Sequence, residues 1–253
     1  MDNQPYYASY DDHYRALYAH GIPYWSDGPD HCKANIERVI SRVHEALPSP
    51  EGAIVLEVGC GEGHLAAALV GLGMVYAGMD FSAHAIAKAR ARASEQNLDV
   101  QLFVADILNP SEAVTGSTYD LILDQACLNM FVVDDDRARY LAVVRKLLRP
   151  EAAFVLTNQP RDEGAYEGKI ASIREFEQRF GVDLSKPQEW EAWDGERWVE
   201  VELPAFACRP RSRQAYVEEF EAAGFTVRRV YESGSAKQFL DFILGPRRAS
   251  ERA

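Results

Sequence analysis

Four carboxylates stand at the ends of short apolar runs in the first half of the chain: Glu57, Asp80, Asp106 and Asp124. Between the first two lies Gly59-Cys60-Gly61-Glu62-Gly63. Alternating glycines let a backbone turn sharply and approach a ligand, and the first N–H groups of a following helix are free to meet it. One strand-end acid is an ordinary surface residue, but four at one edge converge on one crevice. Asp80 follows Gly59 by 21 residues, close to the roughly 20 expected of a carboxylate that grips ribose hydroxyls. Asp106, one strand further on, can accept from an adenine-type amino group. Phe81, Leu102 and Ile107 can border the ring. Glu57 and Asp124 lie nearer the turn, where a cationic amine or sulfonium would be stabilised.

The elements that must position these groups follow from hydrophobic patterning. The run 53–58 reads as a buried parallel strand, and 65–72 as the helix after the turn. Strands follow at 74–80, 100–105, 119–123 and 152–157. Between them lie a helix at 83–94 capped by Ser82 and one opened by Asp134 to Asp136, with Leu141, Val144, Leu147 and Leu148 inward. Such alternation requires a parallel sheet covered on both faces, with ligands outside the carboxyl ends of its strands. Ser212 caps a later helix that Gly224 stops. The strands at 225–231 and 238–244 are joined by Ser233-Gly234-Ser235, too short for a crossover, so they are antiparallel. The polar tail after Gly245-Pro246 is expected to fray.

Two stretches stand outside this alternation. Residues 6–25 are crowded with aromatics, and Ser9 with Asp12 reads as a capping box. Tyr10, Tyr14, Leu17 and Tyr18 share one helical face, either as packing or as a lid whose hydroxyls reach a ligand. A second helix at 30–47 turns Ile36, Val39, Ile40, Val43 and Leu47 inward. Residues 159–210 contain a helix at 170–180 and a strand pair within 189–208 that turns at Asp194-Gly195. Its aromatics (Tyr166, Phe176, Phe180, Trp190, Trp193, Trp198 and Phe206) form a separate mini-core, cap a pocket, or do both. The expected organisation is a helical lid over 1–50, a core of 51–158 and 211–246, and an inserted cap over the active site at 159–210.

Taken together, Glu57-Val58-Gly59-Cys60-Gly61-Glu62-Gly63, Gly78-Met79-Asp80-Phe81-Ser82, Ala105-Asp106-Ile107 and Tyr119-Asp120-Leu121-Ile122-Leu123-Asp124 resemble the motifs of class I S-adenosylmethionine (SAM) dependent methyltransferases. The resemblance covers about residues 30–245. It implies a Rossmann-like α/β fold with seven strands in the order 3-2-1-4-5-7-6, the last antiparallel. It implies that Asp80 binds ribose, Asp106 and Ile107 with Phe81 meet adenine, and Gly59 and Gly61 approach the methionine part, beside Glu57, Asp124 and Gln125. A nicotinamide dinucleotide site would need its third glycine where His64 stands.

Many relatives with small acceptors carry a histidine just beyond the fourth strand's acid. Here Asn129 stands near that place, and Asn cannot act as a general base. His13, His20, His31, His44 and His84 read as surface or helix residues, while His64 abuts the turn. Three functions stay open. The first is methyl transfer to a small molecule, with Tyr10 and Tyr14 over the sulfonium. The second is cyclisation of SAM itself to azetidine-2-carboxylate with release of methylthioadenosine, as in methyltransferase-like SAM cyclases, with Asn129 and Tyr166 holding the amine. The third is SAM binding without turnover.

Composition narrows the partners. The 253 residues are 47% apolar with a net charge of −12, which opposes a nucleic-acid substrate, since phosphate binding needs a basic surface. A local basic patch at Arg209, Arg211 and Arg213 remains compatible with this. Twelve Asp and Glu against six Lys and Arg between Arg161 and Glu202 favour a neutral or cationic acceptor. No apolar run of about 18 residues suggests a membrane span. The start Met-Asp-Asn-Gln-Pro has no basic and apolar leader, and the four cysteines show neither metal nor disulfide spacing. A cytoplasmic monomer or homodimer without a metal is the expectation.

Overall fold

Side chains alternate across a strand, so β1 (Ile54–Val58) sends Val55 and Glu57 to one face of its sheet and Leu56 and Val58 to the other. The computed structural model describes residues 5–25, 28–234 and 236–247, with 29–31 described by backbone alone. The chain start, Ser235 and the tail beyond Arg247 lie outside the described residues.

In chain order α1 (Ser9–Ala19) and α2 (Pro29–Ala46) precede β1. There follow α3 (Ala66–Gly71), β2 (Val75–Asp80), α4 (Ala83–Glu95), β3 (Val100–Val104), α5 (Glu112–Thr115), β4 (Tyr119–Gln125), α6 (Asp134–Leu147) and β5 (Leu148–Pro160). The insertion holds α7 (Ile173–Phe180), β6 (Gln188–Trp193) and β7 (Trp198–Leu203); α8 (Arg213–Ala222), β8 (Phe225–Ser233) and β9 (Phe239–Pro246) complete the chain. The main sheet runs β3-β2-β1-β4-β5-β9-β8, with β9 antiparallel to both neighbours. This is the expected seven-stranded order. Val58 pairs with both Met79 and Asp124, and Asp80 pairs with Val104, so the four acid-bearing strand ends meet at one edge.

The two faces bury different helices. Leu56, Val58, Ile122, Phe154 and Phe242 meet Tyr140, Leu141 and Val144 of α6 and Tyr216 and Phe220 of α8. Val55, Tyr76, Leu121, Leu123 and Val155 meet Val39 and Val43 of α2 and Leu69 of α3. No described helix is long and apolar enough to cross a membrane.

Two caps differ from the sequence reading. A 3-10 turn at Tyr6–Ala8 runs straight into α1, so Ala8 is its N-cap and the Ser9 hydroxyl donates to Tyr6 O at 3.0 Å instead of capping. The N-cap of α6 is Val133; Asp134, Asp135 and Asp136 form the first turn, where negative charge suits the helix dipole. Ser82 and Ser212 do cap α4 and α8, accepting from Ala85 N and Ala215 N.

The insertion both forms its own small core and packs on the N-terminal segment. Ile170 and Phe176 pack with Val132, Val133 and Ala207. Ala192 and Leu203 of the β6–β7 pair bury Leu17 and Ile22.

Beneath α2, the fully buried Asp241 of β9 accepts from Arg38 at 2.8 Å, Arg42 at 3.2 Å, Asn158 N at 3.2 Å and Ser233 at 3.1 Å. Removing one partner of a buried pair typically costs about 3–5 kcal/mol. Asp241→Ala is expected to lose about 3 kcal/mol in urea unfolding. A loss below about 1 kcal/mol would mean that the apolar face alone holds α2.

Candidate active site

The turn after β1 is built from left-handed backbone: Gly59, Gly61 and Gly63 have φ of 68°, 51° and 70°. Close approach also demands glycine at two of them. A Cβ on Gly59 would sit 2.8 Å from the Cys127 side chain, and one on Gly61 2.7 Å from the Tyr14 hydroxyl. Above this turn lies a cavity of about 260 Å³, just below the roughly 300–1,000 Å³ usual for ligand pockets. It is bordered by Glu57, Gly59, Asp80, Phe81, Asp106, Ile107 and Gln125 from the sheet edge, and by Tyr7, Tyr10, Tyr14 and Trp25 from the N-terminal segment.

Each acid at this edge has a different environment. Glu57 accepts from the Tyr76 hydroxyl at 2.6 Å, and burial pushes its carboxyl up to about 8, a rise to which the charges of Asp80 and Asp124 add. Asp80 is pushed up by burial to about 6, against the pull of two N–H donors, Gly61 N at 2.9 Å and Ser82 N at 2.8 Å. One donor per oxygen leaves further lone pairs for ligand hydroxyls. Asp106 accepts from Leu108 N at 2.8 Å and from the Tyr7 hydroxyl at 2.9 Å.

Asp124 stands apart. It accepts from Cys127 N at 2.7 Å, Leu128 N at 2.9 Å, Tyr140 at 2.6 Å and Gln159 at 3.1 Å. Its carboxylate is spent on the loop after β4, and it is not among the cavity-lining residues. That loop needs the restraint, because Ala126 holds φ 61°, a costly conformation for a residue with a Cβ. Arg137, fully buried, completes it by donating to Leu128 O at 2.9 Å and Phe131 O at 3.0 Å while pairing with Glu219 at 2.7 Å on each of two bonds.

Other expectations are corrected in detail. Asn129 is buried with its side-chain carbonyl unpartnered, outside the cavity lining. Tyr166 lies under the Arg179 guanidinium in the core of the insertion. Leu102 packs on the α2–α3 face. Among the described residues none of 159–210 borders the cavity, so the N-terminal segment is its cover and the insertion backs that cover. Arg209 and Arg211 are no exposed basic patch: they are buried and paired with Asp134, and with Glu167 and Glu219.

His13, expected as a surface or helix residue, lies in α1 but is 1% exposed, and it stacks on Trp25 with ring centroids 4.1 Å apart. Its Nδ1 donates to Pro204 O at 2.9 Å, which leaves Nε2 as the acceptor nitrogen. Burial lowers its pKa, so the ring is neutral near pH 7. Tyr7 and Glu62 also border the cavity without having been singled out. Among the described residues no cluster of His, Cys, Asp and Glu is arranged for a metal.

Residues 55–151 match the model of a methyltransferase domain. Over this stretch the chain is similar to the class I SAM-dependent methyltransferases. The cofactor that goes with this family is SAM. A SAM-dependent Diels–Alderase of Talaromyces variabilis is 28% identical over 151 residues, which are 57% of this chain and 49% of that protein. A ubiquinone biosynthesis O-methyltransferase of Glaesserella parasuis is 26% identical over 118 residues, 46% of this chain and 49% of the relative. The chain thus spans about half the length of both. In fold it is similar to the Burkholderia thailandensis 1,6-didemethyltoxoflavin N1-methyltransferase, with a TM-score of 0.65 at 17% identity over 98% of this chain and 94% of that one.

Glu57 makes stability depend on pH with a definite sign. The unfolded chain releases this proton near 4.5, whereas the folded chain keeps it to about 8. Between those values the folded state binds more protons, so stability falls as pH rises. Asp80 contributes in the same direction only up to about 6. Between pH 6 and 8 the wild type is expected to lose up to about 1.4 kcal/mol per pH unit more than Glu57→Gln. Equal slopes in denaturant titrations would remove Glu57 as the cause.

Proposed function

We propose that this enzyme transfers the methyl group of SAM to a small neutral or cationic acceptor inside a closed aromatic chamber. The observation that carries this reading is the cover of Tyr7, Tyr10, Tyr14 and Trp25 over the glycine turn, around a cavity of about 260 Å³. The residues present suit the cofactor. Gly59 brings bare backbone to the cavity wall, Asp80 offers acceptors for ribose hydroxyls, and Asp106 borders the same cavity with Phe81 and Ile107. When bound, SAM supplies an electrophilic methyl group on a sulfonium. Glu57 would face its cationic amine, giving up its own proton as it does so.

The remaining work of this chain is exclusion of water and alignment. Aromatic faces toward a cation contribute about 0.5–2 kcal/mol each, more when desolvated. Alignment of a nucleophile lowers the barrier without any base if the acceptor is already nucleophilic. The limited volume supports a small acceptor.

The same limit favours a second reading, in which SAM is the only reactant and cyclises to azetidine-2-carboxylate. Asn129 supports it, as a buried acceptor without a partner on the loop whose Cys127 and Met130 border the cavity. Tyr166, tied up in the insertion, does not.

Asp80→Asn is expected to weaken SAM binding about 10- to 100-fold, in line with the roughly 1.5–3 kcal/mol of hydrogen bonds to a charged group. Undiminished affinity by calorimetry would remove Asp80 from the ribose site. Mass spectrometry of the sulfur product separates the reactions. Methyl transfer leaves S-adenosylhomocysteine once an acceptor is supplied, and little turnover with SAM alone. Rapid enzyme-dependent methylthioadenosine release from SAM alone would overturn that and establish the cyclase.

A further inference from the structure

The N-terminal segment is held to the loops after β1, β2, β3 and β4 by polar bonds. The Tyr7 hydroxyl donates to Asp106 at 2.9 Å, and Asp11 accepts from the Ser82 hydroxyl at 2.6 Å and from His84 Nδ1 at 2.9 Å. The Tyr6 hydroxyl accepts from Val132 N at 3.0 Å. The bond to the first loop is different in kind, because its acceptor lies within the glycine turn itself.

Glu62 is 2% exposed and borders the cavity. It accepts from the Tyr18 hydroxyl at 2.9 Å, from Trp25 N at 3.0 and 3.2 Å, and from His64 Nε2 at 3.1 Å. Arg92 lies 2.5 Å from His64 Nδ1 and can only donate, so Nδ1 accepts and Nε2 carries the hydrogen to Glu62. The donor roles from Arg92 through His64 to the carboxylate are therefore consistent. Two of the three groups that satisfy Glu62, Tyr18 and Trp25, come from the cover. A buried carboxylate deprived of its donors is costly, so lifting the cover is opposed at the turn. Trp25 is also the ring against which Tyr14 and His13 pack, at centroid distances of 4.8 and 4.1 Å.

We propose that Glu62 is a positioning residue that ties the Trp25 wall of the cavity to the glycine turn, so that release of a bound adenosyl ligand requires breaking its bonds to Tyr18 and Trp25. The inference rests on the SAM-site reading above and adds to it a specific brake on ligand exchange. Glu62 borders the cavity as well, but its oxygens are engaged by Tyr18, Trp25 and His64, so the role proposed for it acts through the tryptophan.

The test uses the full chain and S-adenosylhomocysteine as probe. Release rates are measured by displacement for wild type, Glu62→Gln, Tyr18→Phe and the double variant, with hydrogen exchange followed over residues 18–25. Gln replaces one acceptor oxygen by a donor, and Phe removes a single hydroxyl. Glu62→Gln is expected to speed release at least tenfold and to raise exchange at Trp25, with little change in the association rate. Tyr18→Phe should speed release severalfold, and the double variant should be no faster than Glu62→Gln alone. Wild-type release and exchange in Glu62→Gln, or additive effects in the double variant, would overturn the proposal. If Glu62→Gln fails to fold, Tyr18→Phe decides by the same criteria. If the wild type binds no S-adenosylhomocysteine, the SAM-site reading falls and this one with it; binding with equal release rates overturns this one alone.

Discussion

A carboxylate taken out of water must find donors or keep its proton, and the carboxyl edge of this sheet holds several. Each meets that constraint differently. Asp124 fills its valences with the loop after β4, with Tyr140 and with Gln159. Asp80 takes one N–H from its own loop and one from Gly61, which couples the second strand to the glycine turn. Glu62 is satisfied largely by the cover. Glu57 has only the Tyr76 hydroxyl, and burial, with the charges of Asp80 and Asp124 adding to it, makes it retain its proton to about 8. A protonated acid at the bottom of a cavity is a charge held in reserve: a cation placed there turns it into a carboxylate at small cost.

This division explains what the sequence revealed and what it did not. Strand ends and the glycine turn are local patterns, so Glu57, Gly59, Asp80 and Asp106 were legible, and the strand order followed from the family resemblance those motifs carry. The neighbouring pair Asp124 and Gln125 was legible as a strand end but not by face. Successive residues point to opposite sides, and it is Gln125 that borders the cavity. Burial of His13 was hidden because its partners are remote in sequence: Trp190, Pro204 and Phe206 lie far down the chain. The same holds for Arg209 and Arg211, whose spacing looks like a basic patch until Asp134, Glu167 and Glu219 are brought against them. Non-local pairing of this kind leaves no periodic trace.

The insertion illustrates a related point. Its rings suggested either a mini-core or a cover, and they divide between two tasks. Phe176 and Phe180 stack within the insertion at 4.6 Å, while Trp190 and Phe206 pack on His13 at 5.6 and 5.1 Å. The second pair stiffens the cover from behind without reaching the cavity.

The cover is therefore held on both sides. Toward the insertion it has apolar and aromatic packing on the β6–β7 pair, with hydrogen bonds from His13 to Pro204 O and from Tyr10 to Ala207 O. Toward the cavity it has hydrogen bonds to Asp106, Ser82, His84 and Glu62, which fix angle and distance. The cover and the strand pair behind it are thus one packed unit, joined to the sheet edge by directional bonds that run from several different strand ends.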